Sequence, residues 1–281
     1  MGNLFTGLDS LGLGNLSSMD VYENEEKKEA KPQAAAAVKP EINEADLIFD
    51  KNYTCPVCEK EFKAKAIRTG KIKLVAADSD LRPKYQSVDS LKYDVIACPT
   101  CGYAALNRYF NYMTSGQAKL IKQNISMSFR GLGQESDIVT YDSAIMKHKL
   151  ALANTVVKRA KASEKAYTCL KTAWVLRGKA ENLPEDTPDY KKVQEELAVE
   201  EREFLQNAYD GFMEAFPKEV FPMCGMDENT VCYLVGELAR RTGHIDDAKR
   251  WVARVLVSKT ANDRIKQKAM ELKDKLTSDA Q

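Results

Sequence analysis

Two pairs of closely spaced cysteines are the strongest constraint on the fold of this 281-residue chain. Cys55 and Cys58 form one Cys-x-x-Cys turn, and Cys98 and Cys101 form another. Each such turn directs two thiolates towards one point, and two turns supply the four ligands of a tetrahedral zinc site. The sequence therefore predicts that these four cysteines bind one structural Zn²⁺ ion.

Two other chemistries share this arrangement of thiols. Iron in a rubredoxin-like site takes the same four thiolates, because ligand softness alone does not separate the two metals. A redox-active dithiol needs a single pair between a strand and a helix, whereas two pairs occur here. The closed four-cysteine set favours zinc, with iron as the alternative. We expect the metal to stabilise the module, because the module is too small to be stable by apolar burial alone.

Residue composition divides the chain into four predicted segments. They are an apolar N-terminal peptide at residues 1–20, a flexible linker rich in Glu, Lys, Ala and Pro at 21–49, a zinc-ribbon-like module at 50–130, and a helical domain at 131–281. Short alternating runs predict strands in the ribbon, with an insertion at Ala76–Ser90 that has the composition of a loop. The predicted fold class is α+β, mostly α, with a small four-cysteine β module followed by antiparallel helices.

Helical spacing of apolar residues predicts the elements of the C-terminal half. Helices are expected from Tyr141 onward, at Glu164–Arg177 after an N-cap at Ser163, and at Tyr190–Phe216, Glu228–Arg241, Asp246–Ser258 and Ala261–Leu276. Two helix pairs resemble tetratricopeptide repeats. In the last pair, Val235-Gly236 and Gly243 stand where that repeat has its Leu-Gly and its turn glycine, and in the earlier pair Tyr167, Leu170 and Trp174 match its first helix. This resemblance implies antiparallel helical hairpins with a surface for peptides.

One face of the helix predicted at Glu228–Arg241 is a candidate for binding a protein or peptide partner. If Val235 and its neighbours are buried, the opposite face carries Tyr233, Glu237, Arg240 and Arg241. Two arginines on such a face can hold carboxylates of a partner. The alternative is an ordinary solvated face, which every amphipathic surface helix has.

A cluster of basic residues in the ribbon supports an alternative, nucleic-acid-associated function. Its members are Lys60, Lys63, Lys65, Arg68, Lys71 and Lys73, and Tyr85, Tyr93, Tyr103, Tyr109 and Tyr112 are candidate stacking faces. Residues 51–130 contain 14 basic and 6 acidic side chains. Alternating lysines also solvate the outer face of an edge strand, and this interpretation is favoured because no base-reading motif accompanies them. A protein-binding scaffold is therefore the first prediction.

The sequence favours a binding protein over an enzyme. It contains no P-loop, no dinucleotide-binding glycine turn and no nucleophile paired with a base. His148 and His244 lack a third group to orient them, and Cys169, Cys224 and Cys232 occur in helical sequence, where thiols pack as small apolar groups.

The charge and hydropathy of the sequence limit where in the cell the protein is expected. The 42 basic and 41 acidic side chains leave a formal net charge of +1, which excludes a uniformly basic coat for nucleic acid. No apolar run reaches the ~18 residues that cross a bilayer, and the first twenty residues differ from a signal peptide. We therefore expect a soluble, cytoplasmic protein.

These motifs together resemble an uncharacterised bacterial family, the domain of unknown function numbered 2225. The resemblance is carried by Asn3-Leu4-Phe5, by the two cysteine turns at Tyr53–Cys58 and Cys98–Ala105, and by Ala173–Arg177. It spans nearly the full length of the chain. It implies a bacterial cytosolic protein with a zinc ribbon followed by tetratricopeptide-like helices, and it implies no particular activity.

Overall fold

The computed structural model of the protein describes residues 43–133 and 136–278. The predicted apolar peptide at 1–20 and most of the predicted linker lie outside the described residues. Residues 43–49, at the end of that linker, contain a 3-10 turn at Glu44–Leu47 and the start of the first strand. Contacts group Ile42–Gln281 into one unit, and the boundary predicted after residue 130 stays a prediction.

The described residues contain six short strands, which form three separate antiparallel pairs. Strand β1 (Ile48–Thr54) pairs with β2 (Glu61–Ile67), β3 (Leu74–Ala77) with β4 (Pro83–Tyr85), and β5 (Val95–Ala97) with β6 (Ala104–Leu106). One cysteine turn connects β1 to β2 and the other connects β5 to β6. Each cysteine pair therefore lies at the tip of a hairpin, and the sequence predicts one of the two strands beside each pair.

The β3–β4 hairpin differs from the loop predicted at Ala76–Ser90. The chain forms a short hairpin there, and a 3-10 turn at Ser90–Tyr93 precedes strand β5. Local composition predicts a loop because the tip, Asp78–Arg82, is polar. Contacts with distant helices hold this tip, and such contacts leave no local pattern.

Seven α-helices follow in the described part of the chain, and all except the first lie where the helical spacing predicts them. They are α1 (Ser115–Ile121), α2 (Tyr141–Val157), α3 (Ala162–Glu181), α4 (Tyr190–Ala215), α5 (Glu228–Arg241), α6 (Ile245–Val257) and α7 (Asp263–Ser278). Ser163 is not the N-cap, because α3 begins one residue earlier. Its Oγ donates a hydrogen bond to Glu219 instead, at 2.5 Å.

The helix pairs α3–α4 and α5–α6 are antiparallel hairpins, as the repeat-like spacing predicts. Near the end of α3, the Ala180 carbonyl accepts a hydrogen bond from Gln194, near the start of α4, at 2.8 Å. In the second pair, Gly236 permits close approach, since a Cβ there would lie 3.3 Å from the Cβ of Trp251. The fold is therefore mostly α, with the small β module at its N-terminal side.

One apolar core joins the helices to part of the ribbon. It includes Leu170, Phe212 and Val235 from the helices, and Leu47 and Leu91 from the ribbon side. Burial of such side chains contributes about 1.5–3 kcal/mol each relative to exposure. Within the described residues, none of the helices combines the length and apolar character needed to cross a membrane.

Candidate metal centre

The four cysteines of the two turns converge on one point. Their Sγ atoms all lie within 4.8 Å of one another, with Cys55 3.5 Å from Cys101 and Cys58 3.7 Å from Cys98. Four sulfurs placed about 2.3 Å from a zinc ion at the corners of a tetrahedron are ~3.8 Å apart. The arrangement therefore fits a single thiolate-bound metal ion, with both turns contributing.

The two turns share one backbone geometry. The N–H of Glu59 donates to the Cys55 carbonyl at 2.8 Å, and the N–H of Gly102 donates to the Cys98 carbonyl at 3.1 Å. The donor residue has a positive φ in both turns, 62° at Glu59 and 72° at Gly102. Only the second turn requires glycine for space, because a Cβ at Gly102 would lie 2.7 Å from the Phe129 ring.

Burial and crowding of the thiols make four simultaneous thiolates unfavourable without a cation. Cys55 and Cys98 are fully buried and Cys101 is nearly so. Hydrogen bonds from Cys55 and Cys98 raise the pKa of the Cys101 thiol, whereas hydrogen bonds from Cys101 and Cys55 lower the pKa of Cys98. A metal ion removes this conflict, because its charge stabilises every thiolate at once.

Groups around the sulfur cluster connect it to the helical domain. The buried Tyr103 hydroxyl donates to the Phe110 carbonyl at 2.9 Å, and the two rings pack with centroids 5.1 Å apart. From helix α2, the buried Asn154 side chain donates to the Gly102 carbonyl at 3.0 Å. The second cysteine turn is therefore fixed directly to α2.

The predicted peptide-binding face of α5 is not open. Tyr233 is 2% exposed and Glu237 is fully buried, because the tip of the β3–β4 hairpin covers them. The Tyr233 hydroxyl donates to the Ser79 carbonyl at 2.6 Å, and Ser79 Oγ donates to Glu237 at 2.6 Å. The periodicity of α5 predicts an exposed face there, and this is wrong for these two residues because the covering segment lies far away in sequence.

The two arginines of that face also engage the chain itself. Arg241 Nε donates to Glu237 at 2.7 Å, and Arg240 Nε donates to the same carboxylate at 3.0 Å. The carboxylate that they hold belongs to their own helix, whereas the prediction concerns a carboxylate of a partner. Binding of a partner by these arginines stays a prediction.

Sequence reasoning missed the hairpin tip as a structural centre. Asp80 is fully buried and accepts hydrogen bonds from Trp174 Nε1 at 3.0 Å and Arg177 Nη2 at 2.6 Å. Burial alone would raise the pKa of Asp80, but Arg177 and Arg241 outweigh it and lower that pKa, so the carboxylate is ionised. Its one sequence signal is the pair of acids, Asp78 and Asp80, in a mostly basic segment.

The structure places the six basic residues predicted for nucleic acid along β2 and the turn that follows it. Lys60, Lys63, Arg68, Lys71 and Lys73 are exposed, whereas Lys65 is half-buried and pairs with Asp50 at 3.0 Å. Arg68 lies over the Phe49 ring, 5.0 Å from its centroid. Tyr103 is buried, so it is not the stacking face that its position in the sequence suggests.

The histidines and the remaining cysteines lie away from the metal centre. His148 is fully buried, its Nδ1 lies 2.8 Å from the Ala144 carbonyl, and burial lowers its pKa to about 4. His244 is exposed and stacks on Tyr209. The thiols of Cys169, Cys224 and Cys232 are buried, which raises their pKa values and disfavours thiolate chemistry.

Comparison with other proteins gives one match. No curated protein and no solved structure is similar to the chain. The bacterial family described as "Uncharacterized protein conserved in bacteria (DUF2225)" matches residues 48–276, which contain all four cysteines and nearly all of the helical domain. Because this match covers most of the chain, the protein belongs to that family.

Proposed function

We propose that the protein is a zinc-stabilised binding protein that associates with nucleic acid through the basic surface of its ribbon. The metal has a structural role in this proposal. Four thiolates leave no coordination position for a substrate, which is the usual form of a structural zinc site. Iron accepts the same ligands, so the choice of zinc needs a direct test.

The observation that carries the proposal is the separation of charge in the ribbon. Among the described residues, Lys60, Lys63, Lys71 and Lys73 are exposed and have no acidic partner. The exposed acids nearest to these lysines are Glu59 and Glu61, and two other acids of the module face the helices. Asp80 contacts Arg177 of α3, and Asp94 pairs with Lys171 at 2.9 Å. Between residues 59 and 73, five exposed basic side chains therefore stand against two exposed acids, so this surface is positive although the whole chain is nearly neutral.

Two further features support the ribbon as the binding surface. One argues against binding by α5, and the other argues against an enzymatic function. The face of α5 expected to hold a peptide is occupied by the hairpin tip, so that surface needs no outside ligand. The half-buried carboxylate of Asp94 and the buried carboxylate of Glu237 each face basic partners. Burial would raise the pKa values of both groups, but these partners lower them, which is typical of structural ion pairs.

A charge-reversal series tests the nucleic-acid proposal. The variant Lys63→Glu/Lys71→Glu/Lys73→Glu is compared with Lys249→Glu/Lys273→Glu/Lys275→Glu, which reverses three exposed lysines on α6 and α7. Binding of a labelled mixed-sequence oligonucleotide is measured by fluorescence anisotropy over a series of salt concentrations. We expect the ribbon variant to bind at least ~10-fold more weakly and its log–log salt slope to fall by about 2, since each phosphate contact contributes about 0.7–0.9.

Equal weakening in both triple variants would contradict the ribbon as the binding surface. Binding that does not respond to salt, or no binding by the unmodified protein, would contradict the proposal as a whole. Elemental analysis of the purified protein tests the metal separately, with one zinc per chain as the expected result. Iron in that ratio, or no metal, would overturn the assignment of zinc.

A further inference from the structure

A trough runs along the boundary between the ribbon and helix α3. It consists of two cavities, of about 460 and about 330 Å³, which share Asp94, Asn107 and Lys171 as lining residues. One wall of the larger cavity is a face of β1, and the opposite wall comes from β4 and the 3-10 turn before β5. The smaller cavity continues the trough past Asn107 towards Arg108 and Tyr167.

Aromatic rings line this trough along its whole length. They are Phe49, Tyr53, Tyr85, Tyr93 and Tyr167. All except Tyr93 are partly exposed. Stacking of a nucleic-acid base on such a ring is worth about 5- to 150-fold in affinity, and every base can take part because each has a π-face. The ring set therefore suits a ligand with several flat groups.

Exposed cations lie next to these rings. Lys51 is 5.1 Å from the centroid of Tyr53, and Arg68 is 5.0 Å from that of Phe49. Cation–π contacts at exposed sites are weaker than base stacking. A base can therefore replace the cation on the ring face, and the released side chain can pair with a phosphate.

The trough is positive overall. Among the described residues, its lining cations are Lys51, Arg108 and Lys171, and its one lining acid, Asp94, pairs with Lys171. The net charge of this lining favours an anionic ligand, and the rings favour one with flat apolar groups. Both properties occur together in single-stranded nucleic acid.

We infer that this trough binds single-stranded RNA or DNA, with unpaired bases stacked on Phe49 and Tyr85 and phosphates paired with Lys51 and Arg108. The rings lie inside a concavity between two walls, where the paired bases of a duplex do not reach them. This inference rests on the proposed nucleic-acid function and adds to it the site and the preference for a single strand. The outer lysines attract either form, whereas the trough selects unpaired bases.

The test compares single-stranded and duplex probes on the full chain. The probes are a short single-stranded oligothymidine and a mixed-sequence duplex, both labelled for anisotropy at one fixed salt concentration. The variants are Phe49→Ala and Tyr85→Ala, with Tyr85→Phe as the conservative change and Tyr112→Ala as the matched control. Tyr112 is 75% exposed and lies outside the trough. Lys51→Glu is a further variant, chosen because it changes an exposed side chain without opening the core.

Each alanine variant in the trough is expected to lose about ten-fold in affinity for oligothymidine and to bind the duplex as before. Tyr85→Phe and Tyr112→Ala should keep the affinity of the unmodified protein, and Lys51→Glu should weaken single-strand binding with unchanged helical content by circular dichroism. Equal binding of both probes with no effect of the ring variants would overturn the trough while leaving the proposed function intact. Failure of the unmodified protein to bind either probe would overturn both. Competitive displacement of oligothymidine by a short acidic, tyrosine-rich peptide of equal or higher affinity would also overturn the preference for nucleic acid.

Discussion

Replacing Asp80 by Asn tests whether the β3–β4 hairpin stabilises the whole helical domain. Asp80 is fully buried, and its carboxylate accepts hydrogen bonds from Trp174 and Arg177 of helix α3. The substitution keeps the size of the side chain and one acceptor oxygen but removes the negative charge. The positive charge of Arg177 then loses one of its buried partners.

The size of the effect follows from what remains around Arg177. Removing one member of a buried ion pair costs about 3–5 kcal/mol when the other is left alone. Arg177 keeps hydrogen bonds to Asp78 at 3.1 Å and Glu201 at 2.8 Å, so we expect a loss near the lower limit, about 3 kcal/mol. For a unit of this size, that corresponds to a decrease of about 6–12 °C in the melting temperature.

Urea unfolding followed by tryptophan fluorescence measures this loss. The matched control is Asp50→Asn, because the Asp50 side chain is 51% exposed and its pair with Lys65 lies at the surface. Such a pair contributes about 0–1 kcal/mol. If Asp80→Asn unfolds at the same urea concentration as Asp50→Asn, the hairpin tip is not a stabilising element and the reasoning fails.

The dependence of this loss on pH gives a second check. The folded state lowers the pKa of Asp80 below its ordinary value of 3.8. Its contribution is therefore fully present above that value and disappears as the pH falls through the lowered pKa. The difference between Asp80→Asn and the unmodified protein should be constant from about pH 5 to 7 and shrink below about pH 4. A difference that grows on acidification would contradict this assignment.

Three further predictions concern the metal centre and a buried histidine. Cys101→Ser should abolish stoichiometric metal binding in elemental analysis and make the ribbon sensitive to protease, because structural metal contributes on the order of 10 kcal/mol to such modules. Burial lowers the pKa of His148 to about 4. The free energy of unfolding of the unmodified protein should therefore fall by about 3 kcal/mol between about pH 6.5 and pH 4, because the unfolded chain takes up a proton there. Urea titrations of His148→Gln should not show this loss. In thermal melts, Gly102→Ala should lower the melting temperature, because the added Cβ would lie 2.7 Å from the Phe129 ring. Glu59→Gly should raise or maintain the melting temperature, because glycine adopts the positive φ of 62° without strain.

The metal centre could be predicted from sequence because its determinants are local. A Cys-x-x-Cys turn sets the positions of two sulfurs by itself, and the sequence predicts one strand beside each turn, β2 or β5. The four cysteines therefore carry nearly all the information needed for their convergence. Even the positive φ at Gly102 follows from the residue type, although Glu59 adopts a similar φ without it.

The covered face of α5 could not be predicted in the same way. Helical periodicity shows which residues of α5 share a face, but not what lies against that face. The tip at Ser79 reaches Tyr233 from 154 positions away. In the sequence, the polar residues of the hairpin tip and those of α5 look like two separate solvated surfaces. The residues of α5 that form buried ion pairs with each other and with the tip therefore look like a surface for a partner.

The same buried contacts contribute to the positive charge on the ribbon surface of a nearly neutral protein. Several contacts fix the ribbon to the helices, among them those of Asn154 at the metal turn, Arg177 at the hairpin tip and Lys171 at Asp94. The last two use the ribbon's own carboxylates, since charged hydrogen bonds of this kind need an acid on one side. Acids used for attachment cannot neutralise the outer lysines, so the contacts that stabilise the junction leave only Glu59 and Glu61 as exposed acids between residues 59 and 73. Asp80→Asn should therefore destabilise the protein without strengthening nucleic-acid binding at neutral pH, because the charge that it removes is already buried against Arg177.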